Sequence, residues 1–161
     1  MQSNTTLQEL NIGNNNIGVT GAHDIAHALE RNTTLRELDI RDNNIEDAGT
    51  HDVAQTLESN TTLQMLNIFQ NSIGDAGARY IALALERNTT LQMLDIGMNY
   101  IGDVGRIDIA RALEINTTLR GLNIDKNNIG DFGGGIRNDI CQNKALYENR
   151  LSLVSICLRS F

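Results

Sequence analysis

The sequence predicts an α/β solenoid, a short right-handed horseshoe with a parallel β-sheet on its concave face and α-helices on its convex face. Three observations carry that expectation. The tetrad Asn-Thr-Thr-Leu begins at Asn4, Asn32, Asn60, Asn88 and Asn116, always 28 residues apart, and a period of that size marks a stacked repeat array. Within each unit a short alternating segment precedes a segment of helical periodicity. Finally, the apolar positions fall into unbroken columns, so the core grows by stacking one unit on the next.

The strand half of each unit carries the columns Leu10, Leu38, Leu66, Leu94, Leu122 and Ile12, Ile40, Ile68, Ile96, Ile124. Alternation of this kind buries one side of a strand. The helix half repeats apolar residues at spacings of one and three to four, as in Ile25, Ala26, Leu29 and Val53, Ala54, Leu57, which makes a narrow buried stripe. Strands stack about 4.8 Å apart whereas packed helices need about 8 to 10 Å, so the array curves with its sheet inside.

Asn15, Asn43, Asn71, Asn99 and Asn127 form a further column just beyond each strand. A primary amide supplies both donors and an acceptor, which suits a buried turn whose backbone groups lack partners. The expectation is a structural ladder. The Asn of each Asn-Thr-Thr tetrad comes at the end of a helix, where it can tolerate a left-handed conformation, and the two Thr lead into the next strand. Although these tetrads match the N-glycosylation pattern, the structural reading takes precedence. Glycines at Gly18, Gly74 and Gly102 and at Gly21, Gly49, Gly77 and Gly105 punctuate the entry to each helix, for close backbone approach or positive φ.

The pattern LxxLxIxxNxI followed by GxxxIAxALExNTTL resembles the leucine-rich repeat family, in the 28-residue subtype found in ribonuclease inhibitor and in the arrays of cytosolic innate-immune receptors. Similar arrays occur in effectors that intracellular bacteria deliver into host cells. The resemblance covers residues 1–146 as five repeats, the last of 27 residues, and leaves 147–161 as an expected C-terminal helical cap. It implies a non-enzymatic module that binds a partner protein through the concave face. Two alternatives come with it: regulation of a small GTPase, or a structural fragment of a longer receptor or effector. Because no capping segment precedes the first repeat, self-association through that uncapped unit is also an expectation.

Residues flanking the buried Leu and Ile of each strand face the concavity. The expected protein-binding residues are Glu37, Asp39, Arg41, Met65, Asn67, Phe69, Met93, Asp95, Met98, Asn123 and Asp125. Met65, Phe69, Met93 and Met98 are expected to be exposed apolar side chains in acidic surroundings, the anatomy of a protein-binding patch. On the convex side Tyr80, Leu83 and Ile115 replace polar residues of other units and read as scattered surface side chains.

Composition excludes several function classes. A formal charge of −7 without a basic patch argues against nucleic acid as partner. No apolar stretch long enough to span or anchor in a membrane and no secretion signal are present, so a cytoplasmic location is expected, or a host cytosol for an effector. Cys141 and Cys157 are the only cysteines and read as buried free thiols. The glycine-rich run at 133–135 lacks the context of a phosphate loop. His23 and His27, one helical turn apart with His51 on the adjacent helix, lack a further ligand for a functional metal site. Nucleophile, base and orienting acid converge nowhere, so no cofactor and no catalysis are expected.

Overall fold

The computed structural model describes residues 4–130. The expected cap at 147–161, both cysteines and the glycine run at 133–135 lie outside them. Five strands, β1 (Glu9–Asn11), β2 (Glu37–Asp39), β3 (Met65–Asn67), β4 (Met93–Asp95) and β5 (Gly121–Asn123), alternate with four helices, α1 (Gly18–Leu29), α2 (Glu46–Leu57), α3 (Asp75–Arg87) and α4 (Asp103–Ile115). The strands form one sheet in sequence order. Every pairing is parallel and every residue lies beside its counterpart one period away, as Leu38 beside Leu66 and Met65 beside Met93.

Each strand is only three residues long because its chain carries a single apolar residue toward the helices before turning. Leu38, Leu66 and Leu94 are buried at 2% exposure, and Ile40, Ile68 and Ile96, just past each strand, at 0%. From the helical side, Ala26, Leu29, Val53, Ala54, Leu57, Ile81, Ala82 and Leu85 close the same core. The small Ala22 and Ala78 let neighbouring helices approach closely, against Gly49 of α2 and Gly105 of α4, while the leucines fill the remaining core.

The turns hold the units together through side chains. Asn71 Oδ1 accepts the Asn43 N–H at 3.0 Å and the Ile45 N–H at 3.3 Å, and its Nδ2 donates to Ile40 O at 2.9 Å. Asn99 repeats this one unit later, accepting from Asn71 N at 2.7 Å and Ile73 N at 3.1 Å and donating to Ile68 O at 3.2 Å. Asn43 takes the Asn15 N–H and donates to Ile12 O, and Asn127 closes the last described link through Ile101 N and Ile96 O. Asn43, Asn71 and Asn99 are buried, whereas Asn15 in the first unit is exposed.

The Asn-Thr-Thr tetrads form a second ladder on the opposite side. Asn88 Oδ1 accepts from Thr90 N and Leu91 N, and Nδ2 donates to Leu57 O at the end of α2, one unit earlier, at 2.7 Å. Asn60 and Asn116 do the same toward Leu29 O and Leu85 O. The left-handed backbone is not what these positions adopt: Asn88 and Asn116 are extended, with φ of −69° and −66°. The side chain supplies the cap, since the extended turn brings Oδ1 under the N–H groups two and three residues on. Asn60 and Asn88 are 8% and 4% exposed, which leaves no room for a glycan on the folded chain.

A third device starts the later helices. Asp47 Oδ1 accepts from Gly74 N at 2.7 Å and Gly77 N at 2.9 Å, and Asp75 Oδ1 accepts from Gly102 N and Gly105 N at the same distances. A carboxylate on one helix thus caps the next. Val19 stands where Asp47 and Asp75 do one and two units later and offers α2 no acceptor. Correspondingly, α2 opens at Glu46 with a left-handed φ of 59°, while Gly74 and Gly102 are extended.

Asn71→Ala leaves buried turn groups on two units unpaired and is expected to cost about 1 to 3 kcal/mol, with Asn15→Ala costing less because its site is exposed; urea denaturation of both variants checks the difference. Asp75→Ala removes the one oxygen that accepts two N–H groups at the start of α4 and is expected to cost about 1 to 2 kcal/mol. Hydrogen exchange reads it locally: protection should fall at Gly102 and Gly105 before it falls at Gly74.

Candidate functional site

The sheet face opposite the helices forms a concavity of about 670 Å³. Its floor is one column of side chains, Glu9, Glu37, Met65, Met93 and Gly121, set in register by the parallel pairing. The character of the column changes along the array, from two carboxylates to two thioethers to no side chain at all. Met65 and Met93 are 39% and 43% exposed. Gly121 is the reason Met93 can lie flat, since a Cβ there would stand 2.6 Å from the Met93 Sδ and Cε.

The neighbouring column, Asn11, Asp39, Asn67, Asp95 and Asn123, also lines the concavity, but its first task is local. Each Oδ1 accepts the backbone N–H two residues on: Gly13, Arg41, Phe69, Gly97 and Asp125, at 2.9 to 3.1 Å. Asn and Asp alternate here because both carry that oxygen. Asn123 Nδ2 also donates to Asp95 Oδ1 at 3.0 Å. These side chains bend the chain out of each strand.

Of the eleven residues expected at a binding face, eight line the concavity: Glu37, Asp39, Met65, Asn67, Met93, Asp95, Asn123 and Asp125. Arg41, Phe69 and Met98 stand outside its lining. Arg41 is exposed and its Nε lies 3.5 Å from Asp39 Oδ2. Phe69 is half-buried rather than exposed, because its ring lies over Gly97, where a Cβ would meet Phe69 Cδ2 at 3.1 Å. The free glycine surface gives the ring a seat. Met98 is 45% exposed and holds a left-handed φ of 52°, as do Asn14, Asp42, Gln70 and Lys126 in the same column. Glu9 and Gly121, absent from the expected set, belong to the floor.

The convex side is organised differently. His23 Nδ1 and His51 Nδ1 converge on the two oxygens of Asp52, at 3.0 and 3.3 Å, and Tyr80 stands edge-on to His51 with ring centroids 4.5 Å apart. His27 instead pairs with Glu30. Among the described residues no group of three or more His, Cys, Asp or Glu is arranged to hold a metal ion, and no helix is long and apolar enough to cross a membrane.

The family described as Leucine Rich repeat matches at residues 3–26, 31–50, 59–82, 87–110 and 116–134. No curated protein matches. Among solved structures, leiomodin-1 actin-binding site 2 is similar with a TM-score of 0.72 and 26% identity, covering 89% of this chain and 87% of that one. The tropomodulin C-terminal domain of Caenorhabditis elegans superposes with a TM-score of 0.74 over 92% of both chains at 15% identity, a likeness of fold.

A methionine in the left-handed region is strained where asparagine is tolerated. Met98→Asn is therefore expected to raise stability by about 0.5 to 1 kcal/mol, read as an increase in the urea midpoint without a change in slope.

Proposed function

The chain belongs to the leucine-rich repeat family, and from that premise we propose that it is a protein-recognition module whose docking surface is the concave sheet face. One observation carries the reading: Met65 and Met93 stand side by side on the floor of the concavity, each about two-fifths exposed. Exposed thioethers in register are more than the core of this fold needs. Their flexible, polarizable side chains suit a surface that adapts to an apolar partner group, and the surrounding Glu37, Asp39, Asp95 and Asp125 form the polar rim such a contact requires. Arg41, Phe69 and Met98 would border the contact, outside its centre. The reading takes the module to be non-enzymatic and to act in the cytoplasm.

A narrower second reading is favoured by the likeness to the leiomodin-1 actin-binding fragment, and takes actin as the partner. Regulation of a small GTPase, one of the two alternatives implied by the resemblance alongside a structural fragment of a longer receptor or effector, has its own readout in accelerated GTP hydrolysis by whichever GTPase is captured.

The test uses Met65→Ser/Met93→Ser, which spares the half-buried Phe69 and should leave stability within about 1 kcal/mol of the parent because both side chains are partly exposed. Proteins captured by the parent chain from a cell lysate should be lost by this variant, and partners retained equally by both would move the docking site to another face. In parallel, labelled monomeric actin is titrated with both chains. Saturable binding that the double variant weakens at least tenfold supports the actin reading, and absence of binding removes it.

A further inference from the structure

The floor of the concavity contains a pair of charges that the fold does not balance. Glu9 and Glu37 are register partners on β1 and β2, so their Cα atoms stand about 4.8 Å apart. Among the described residues neither carboxylate has a hydrogen bond or an ion pair. The nearby cations are directed elsewhere: Arg41 lies against Asp39, and Arg36, next to Glu37 in sequence, lines a separate recess with Thr and Gln side chains at the starts of the strands. Like charges placed side by side on a sheet are destabilising. A folded chain that keeps two of them together, with no counterion, presents a site that a cationic group would stabilise.

Directly beyond this pair, one and two strands further along the same column, come Met65 and Met93. The floor is therefore polar in a directional sense, with uncompensated negative charge over β1 and β2 and apolar surface over β3 and β4. The spacing of strands, about 4.8 Å, is close to the rise of one α-helical turn, about 5.4 Å. A helix laid across the strands would set one turn against each repeat.

We propose that the occupant of the concavity is an amphipathic helical segment of a partner protein, with Lys or Arg on two successive turns seated against Glu9 and Glu37 and Leu, Met or Phe on the next two turns seated on Met65 and Met93. The inference rests on the concave-face reading and adds to it the chemistry and direction of the partner. Asp39, Asp95 and Asp125 along the sides of the groove reinforce the selection for a basic segment and would repel an acidic one.

The test pans a displayed library of random 16-residue peptides against the parent chain, then measures binding of the enriched sequences by fluorescence anisotropy. Enriched peptides should carry basic residues spaced three or four apart in one half and apolar residues at the same spacing in the other. Their Kd should rise at least tenfold on Glu9→Lys/Glu37→Lys and at least tenfold on Met65→Ser/Met93→Ser. Glu9→Lys alone, at an exposed position, should give part of the first effect without disturbing the fold. A peptide with Glu in place of its basic residues should prefer the doubly reversed chain over the parent. Peptides lost on Met65→Ser/Met93→Ser that lack basic residues, or that bind Glu9→Lys unchanged, would overturn the inference and leave the concave-face reading standing. Enriched peptides indifferent to Met65→Ser/Met93→Ser, or no enrichment at all, would overturn both.

Discussion

Everything in this fold depends on polar groups that one repeat cannot satisfy alone. A unit of 28 residues makes a three-residue strand and a helix of 12 or 13 residues, and the turns joining them carry N–H and C=O groups with no partner inside the unit. Buried backbone groups left in that condition cost about 1 to 3 kcal/mol each. The amides of Asn43, Asn71 and Asn99 on one side and Asn60, Asn88 and Asn116 on the other carry those groups across to the neighbour. The apolar columns then pack in a register that the amides have already fixed.

That division of labour leaves the inner face free for other uses. The side chains that bond between units sit in the turns, while Glu9, Glu37, Met65, Met93 and Gly121 take part in no such ladder. Their identities change from strand to strand although the backbone beneath them does not. A gradient from carboxylate to thioether can therefore be written onto the sheet without disturbing the bonding that holds it, and the proposed recognition of a partner helix rests on that independence.

The period, the buried Leu and Ile columns and the alternation of strand and helix were legible because stacking demands the same apolar residue at the same place in each unit. The turn amides at 15, 43, 71, 99 and 127 were legible for a similar reason, as an unbroken column of a residue that both donates and accepts. The constant presence of Asn or Asp at Asp39, Asn67, Asp95 and Asn123 also signals the turn bond each one makes. Phe69, expected to be exposed, is half-buried. Its clue lay one period on, where Gly97 has the same column, just as Gly121 follows Met93: a large side chain followed by glycine in the next unit lies across the gap. No propensity signals the left-handed φ of Met98, which is imposed by the turn geometry that Asn14 and Asp42 adopt more readily.

The reach of the turn amides also bears on how the chain acquires its structure. Among the described residues, the turn-amide bonds that join units span 26 to 31 residues of sequence, so each closes a loop of about one repeat. An array with this pattern has low contact order for a sheet protein, since its parallel strands are brought together by neighbours only. As the chain leaves the ribosome, the carbonyls that Asn71 needs on Ile40 and the amides it needs on Asn43 and Ile45 have already emerged. Growth by successive addition, from the first unit toward the last, is the folding route that this geometry makes shortest.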